Sequence, residues 1–254
     1  MLIDSHAHLQ WASFDADREK VITRAREANV KNIVNIGYDL DGSEKAVELA
    51  EKYEGLYATV GIHPHNADRF NEKILETLRS ISENPKVVAI GEIGLDYYRN
   101  LSSKDAQQKA FETQLILAQE LKLPVVIHDR DAHAEVLKTL SKFKGKTNGV
   151  MHCFSGSPEI AEQCIRMDYC VSFAGPVTFP NAYKLHETAK TIALDKILIE
   201  TDCPWLAPQN MRGKRNEPAF LPFTAEKVAN LRGISLDELA EATTKNAKQL
   251  FHLL

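Results

Sequence analysis

Two histidines one residue apart open this chain, in Leu2-Ile3-Asp4-Ser5-His6-Ala7-His8, and histidine or a carboxylate closes apolar runs further along it. Side chains of an extended segment alternate with a period of two, so His6 and His8 face one side, and paired imidazoles suit a divalent metal. A pair of surface histidines or a tag remnant is the bland alternative, but a tag carries a longer histidine tract. The run Leu56 to Ile62 stops at His63-Pro64-His65, Val125-Val126-Ile127 stops at His128-Asp129-Arg130, Val150-Met151 stops at His152, and Lys196 to Ile199 stops at Glu200-Thr201-Asp202. The fullest case is Val87 to Tyr98, where a β-branched run delivers Glu92 between Gly91 and Gly94. A carboxylate at the end of a core strand needs a cation, and flanking glycines let backbone or ligand approach closely.

Any one of these residues alone reads as a satisfied core histidine or a cap. Together they close six of eight apolar runs, and five histidines with two carboxylates exceed what one divalent ion takes, about four to six ligands. The residues sort as His6, His8 and Asp202 on one ion, His128 and His152 on another, and Glu92 bridging the two. Mixed imidazole and carboxylate ligation suits Zn, Mn, Co or Ni better than Mg, although an open, water-rich site accepts Mg. Two ions roughly 3.5 to 4 Å apart activate a shared water, which is hydrolytic chemistry. Asp202 is placed to act as general base while touching metal, with an N-cap as its structural alternative. His63 is read as a substrate contact or a support for the ligands, with ligation equally open. Arg130, two residues past His128, and Arg215, in a basic loop with Arg212 and Lys214, are candidate phosphate contacts, since guanidinium forks match phosphate. Without the metal cluster that loop would read as a solvated basic turn. Tyr97, Tyr98, Phe154 and Trp205 follow candidate ligands closely and could stack bases or pack the rim.

The elements that must carry these residues alternate. Apolar runs near residues 2, 30, 56, 87, 124, 149, 169 and 197 are separated by helix-like stretches at about 17–28, 41–53, 71–82, 103–121, 132–143, 158–167 and 183–193. Such alternation predicts parallel strands and favours a closed (β/α)8 barrel of one domain, 1–254, with C-terminal helices on its outside. An open doubly wound sheet would carry a Gly-rich phosphate turn after its first strand, where this chain has His-x-His. In a barrel every strand's C-terminal end reaches the same face, so the candidate residues would converge there. The tail from Thr224 reads as helices broken at Gly233, with Ser235 and Glu238 as a capping box.

Composition excludes little. A hydrophobic share of 44% over 254 residues builds an ordinary core, and a net charge of -4 gives no global basic field, so any nucleic-acid partner must be held by a local patch or by cations. Cys153, Cys164, Cys170 and Cys203 lack C-x-x-C spacing and read as reduced core thiols. With no signal segment and no membrane-length apolar run, a cytoplasmic protein without membrane contact is expected, a monomer by default.

With these residues in view, the chain resembles the TatD-type metal-dependent hydrolases of the amidohydrolase-like barrel superfamily. The resemblance rests on DSHAHL at 4–9, GIHPH at 61–65, GEIGLDYY at 91–98, IHDRDA at 127–132, HCFSGS at 152–157, ETDCPWLAP at 200–208 and RNEP at 215–218, an ordered set along the whole chain. It implies a (β/α)8 barrel with two divalent ions (Mg, Mn or Zn), and an exonuclease-type deoxyribonuclease acting on single-stranded DNA or DNA ends. The family pattern assigns metal binding to His6, His8, Glu92, His128, His152 and Asp202. Ala7 and Gln10 depart from it, where the family often has Cys and Asp. Neither is a candidate ligand. The competing readings are a dimetal hydrolase of a carbon centre, such as an aminoacyl-tRNA ester or cyclic amide, and a non-catalytic metal-binding scaffold.

Overall fold

The structure is a computed structural model describing residues 1–253. Eight strands run β1 Leu2–Ala7, β2 Val30–Ile36, β3 Leu56–Val60, β4 Val87–Asp96, β5 Val125–Arg130, β6 Gly149–Met151, β7 Tyr169–Phe173 and β8 Ile197–Ile199. They form one sheet in sequence order, and each neighbouring pair is parallel. The helices between them are α1 Arg18–Glu27, α2 Leu40–Lys52, α3 Glu72–Ile81, α4 Lys104–Leu121, α5 His133–Ser141, α6 Pro158–Ile165 and α7 Tyr183–Thr191. The helical tail is α8 Leu221–Arg232 and α9 Leu236–Phe251. The result is the (β/α)8 barrel that the alternation predicts.

Helix starts follow from side chains that accept otherwise unpaired amides. Asp39, Asn71, Ser103 and Ser235 cap α2, α3, α4 and α9 in this way. Gly233, in the left-handed region, ends α8 as expected.

The ring closes where β1 meets β8, and it closes through polar residues. Ala7 bridges Cys203, the Asp202 amide donates to His6 O at 2.9 Å, and the His8 amide donates to Cys203 O at 2.9 Å. Deeper along the seam, the Thr201 hydroxyl and amide donate to the buried Asp4 carboxylate at 2.6 and 3.0 Å. Burial pushes the Asp4 carboxyl up to about 7, against the Thr201 hydrogen bonds that favour its charge.

Two apolar layers hold the barrel. The larger lies between strands and helices, with Leu2, Ile33, Ile90, Val125 and Ile127 facing Phe111, Leu115 and Val136. The smaller gathers Ile3, Val34, Ile36, Val88, Val126, Val150 and Leu198 with Leu250, Phe251 and Leu253. The tail helices pack around the barrel as expected. The end of α9 joins the strands' second face, and Asn246 donates to Ile197 O at 2.9 Å, at the start of β8. Burying that amphipathic end against the strands removes its apolar stripe from water.

Candidate metal centre

The strand pattern alone would not aim every candidate inward. β1 shifts register against β2 between Asp4 and Ala7, and β4 shifts against β5 between Ile90 and Ile93. Such irregularities re-aim side chains beside active sites, and here each lies at a candidate ligand, His6 or Glu92. At Gly94, φ is +138° and a Cβ would collide with the His128 carbonyl. That glycine lets β4 and β5 approach where Glu92 and His128 meet.

The side chains converge as a double cluster. In the first, His6 Nε2 lies 3.1 Å from His8 Nε2, 3.6 Å from Glu92 Oε2 and 3.6 Å from Asp202 Oδ1. His8 Nε2 lies 3.8 Å from Glu92 Oε2 and 3.5 Å from Asp202 Oδ1. A tetrahedral ion with bonds of roughly 2.0 to 2.1 Å separates its ligands by about 3.3 Å, so five donor–donor distances bracket what such an ion requires. In the second, Glu92 Oε1 meets His128 Nδ1 at 2.8 Å, His152 Nε2 at 2.8 Å and His63 Nε2 at 3.4 Å. His152 stands between the clusters, its ring stacked on His6 with centroids 3.9 Å apart. The donors His6, His152 and Asp202 also approach one another closely enough to share an ion, as do His63, Glu92 and His128.

Electrostatics favour the metal-binding forms of His6, His63 and Glu92, whereas His128 and His152 are shifted toward the protonated form beside Glu92. Burial holds His6 well below the ordinary histidine range, helped by His152, and so keeps it neutral. Burial also brings His63 down to about 4. For Glu92 burial would raise the carboxyl, but the charges of His152 and His63 and the His128 hydrogen bond outweigh it and hold the group well below the carboxylate range. The opposite balance holds at His152, where Glu92 and Glu200 overcome burial and raise the imidazole.

An outer set of acceptors orients the rings. His128 Nε2 donates to Asp96 Oδ2 at 3.2 Å, His152 Nδ1 to Glu200 Oε1 at 3.2 Å and His8 Nδ1 to Ile36 O at 3.0 Å. Each leaves the other ring nitrogen turned to the cluster, the arrangement that fixes a ligand's tautomer. Sequence reading assigned no role to Asp96 or Glu200. A signal for Asp96 existed, because Glu92, Gly94 and Asp96 share a strand face by period two. Glu200 offered none, since it and Asp202 close the same run.

His63, read as a substrate contact or a support for the ligands with ligation equally open, stands with its Nε2 3.4 Å from Glu92 Oε1. Arg215, read as a phosphate contact, is engaged elsewhere: its guanidinium donates to both Asp17 oxygens at 2.9 and 2.7 Å and to the Ser13 carbonyl, and covers the Phe14 ring. Those bonds tie the basic loop to the start of α1, and a phosphate would have to displace Asp17. Arg130 instead lies over the exposed Tyr98 ring, 4.2 Å from its centroid, and has no carboxylate partner among the described residues. Phe154 is buried core packing, whereas Trp205 remains exposed at the rim.

The sequence matches the family described as TatD related DNase over residues 3–252. The chain belongs to that family. Relatives of full length include the uncharacterized metal-dependent hydrolase YabD of Bacillus subtilis, 46% identical with all of both chains covered. A TatD protein of Pantoea vagans named a 3'-5' ssDNA/RNA exonuclease is 41% identical, over 99% of this chain and all of its own. Among solved structures, the TatD homolog YJJV of Escherichia coli superposes with a TM-score of 0.92 at 32% identity, over 100% of this chain and 98% of that one. The TatD family is one of metal-dependent hydrolases, and the histidine and carboxylate clusters of this barrel can hold metal. No helix is long and apolar enough to cross a membrane.

Proposed function

We propose that this TatD-family hydrolase cleaves phosphodiesters of single-stranded DNA from an end, with two divalent ions held by the double cluster. The observation that carries the reading is the division of the Glu92 carboxylate, with Oε2 among His6 and His8 and Oε1 between His128 and His152. With one oxygen in each donor set, Glu92 would contribute to both ions if two were bound. In this reading His6, His8, Glu92 and Asp202 would hold one ion, and Glu92, His128 and His152, with His63 beside them, would hold the other. The ions when bound supply Lewis acidity toward a phosphoryl oxygen and ease ionisation of water.

The chain's own residues do the rest. Asp202 sits at φ +53°, a left-handed conformation that Asp tolerates better than most residues, and this turns its carboxylate back to His6 and His8. From there it accepts the proton of the attacking water. The water oxygen bonds to phosphorus as the bond from phosphorus to the leaving sugar oxygen breaks, and that oxygen takes a proton from solvent. Arg130, whose guanidinium lies over Tyr98 with no carboxylate partner among the described residues, meets the charge of the phosphate. Asp96 and Glu200 keep His128 and His152 aimed, so the reacting groups pay little reorganisation on turnover. The relatives named as 3'-5' exonucleases on single strands support the same polarity and substrate here.

The test is cleavage of end-labelled single-stranded DNA with Mg, Mn or Zn, run beside metal analysis. Two ions per chain, a ladder shortening from the 3' end, and loss of about a hundredfold or more in rate with Asp202→Asn support the proposal. Undiminished cutting by that variant would sink it.

A further inference from the structure

The chain has two tryptophans, and they are far apart in sequence, at 11 and 205. Both stand at the rim, at 36% and 42% exposure, with ring centroids 5.0 Å apart. Trp11 follows β1 and Trp205 follows β8, the two strands that meet at the seam, and Tyr38 follows β2, next around the ring. Trp11 packs on Tyr38 at 5.2 Å, and Trp205 packs on the ring of the candidate ligand His8 at 5.2 Å. Three loops thus bring together one aromatic corner continuous with the metal cluster.

An aromatic of this size left at the surface is costly unless something covers it, and single exposed apolar residues are scattered rather than stacked. Core packing does not account for the pair, since both indoles keep a face in water. The interplanar angle between them is 68°, so they form a corner: a flat ring can lie on one indole with its edge against the other. Nearby cations are already committed, Arg18 to Asp15 and Lys45 to Asp41. The corner therefore suits an uncharged planar group better than a phosphate. Gln10 lines a cleft on the Trp11 and Tyr38 side of the corner, buried and donating to Ile36 O at 2.6 Å.

We propose that Trp11 and Trp205 form a stacking subsite for an unpaired nucleobase, that of the nucleotide adjoining the phosphate at the metal cluster. The inference rests on the nuclease reading above and adds to it the part of the substrate that is recognised. Contact between Trp205 and His8 limits the stacked base to a position within about one nucleotide of the cluster. A base must be unstacked from its neighbours to enter, so paired ends would be poor substrates. Every base has a π face, so the subsite would tolerate all sequences.

Because these are the chain's two tryptophans, intrinsic fluorescence reports occupancy directly, apart from catalysis. The metal-loaded protein is titrated with a phosphorothioate oligothymidylate, which resists cleavage, and with an abasic phosphorothioate strand of equal length. The expected result is quenching by the thymidylate alone and binding about tenfold tighter than to the abasic strand, a difference typical of one stacked base. Trp11→Ala is the cleaner variant, because Trp11 contacts Trp205 and Tyr38 rather than a candidate ligand; it should bring thymidylate binding down to the abasic level with metal content unchanged. Trp11→Phe should restore part of the difference. Equal binding of both strands without quenching, in a protein that still cuts single-stranded DNA, overturns the stacking subsite and leaves the nuclease reading intact. Absence of both binding and cutting overturns the two together.

Discussion

Asp96 and His128 form a pair that no proposed metal ligand could replace: the Asp96 carboxylate takes His128 Nε2 at 3.2 Å while Nδ1 of the same ring faces Glu92 at 2.8 Å. Asp96 also meets His65 Nε2 at 2.7 Å and accepts the amide of Arg99 at 2.7 Å, so it is itself held from three sides. Burial would raise its carboxyl, yet the hydrogen bonds from His128, Arg99 and His65 outweigh that and hold it well below the carboxylate range. Asp96→Asn keeps every candidate ligand but weakens the preference for the tautomer that frees Nδ1. We expect metal affinity to fall about 10 to 100-fold, measured by competition with a chelator, while the fold survives.

Glu92→Gln separates a bridging carboxylate from one that serves a single cluster. With a bridge, metal analysis should show occupancy falling at both positions, whereas Asp202→Asn should retain at least one ion and lose rate. A Glu92→Gln protein that keeps two ions would contradict the bridge.

Gly94→Ala tests the close approach of β4 to β5. The added methyl meets the His128 carbonyl and the backbone is in a region that L residues avoid. Destabilisation of about 2 to 4 kcal/mol in chemical unfolding is expected, with metal binding impaired in whatever remains folded.

Arg215→Ala should act on stability more than on the chemical step, because its guanidinium is spent on Asp17, Ser13 and Phe14. A loss of about 1 to 3 kcal/mol is expected from breaking hydrogen bonds to a charged group. A selective rise in KM for DNA with unchanged stability would instead return Arg215 to the substrate.

His133 provides a pH dependence outside the cluster. Its Nδ1 donates to Asp129 at 2.7 Å, which raises the imidazole above the usual 6.5 despite partial burial. A raised histidine contributes stability that is full below pH 6.5 and disappears as pH climbs through its folded value. His133→Gln should therefore lose about 0.5 kcal/mol near pH 6 and almost nothing near pH 8, read from thermal melts at both.

The barrel and most of the cluster were legible because they depend on order along the chain. Alternating apolar runs and helical stretches specify parallel strands, and parallel strands in a closed ring bring His6, His8, Glu92, His128, His152 and Asp202 to one face. What sequence could not decide was how individual side chains are aimed and with whom they bond. Register shifts turn His6 and Glu92 to the cluster, Asp96 and Glu200 become orienting acceptors only through neighbours on other strands, and His63 comes to lie beside Glu92 while Arg215 turns to Asp17. Trp11 meets Trp205 only because the ring closes where β1 joins β8. Local patterning sets which elements form, whereas contacts between residues two hundred positions apart are set by closure and packing, and those contacts decide what each functional group can do.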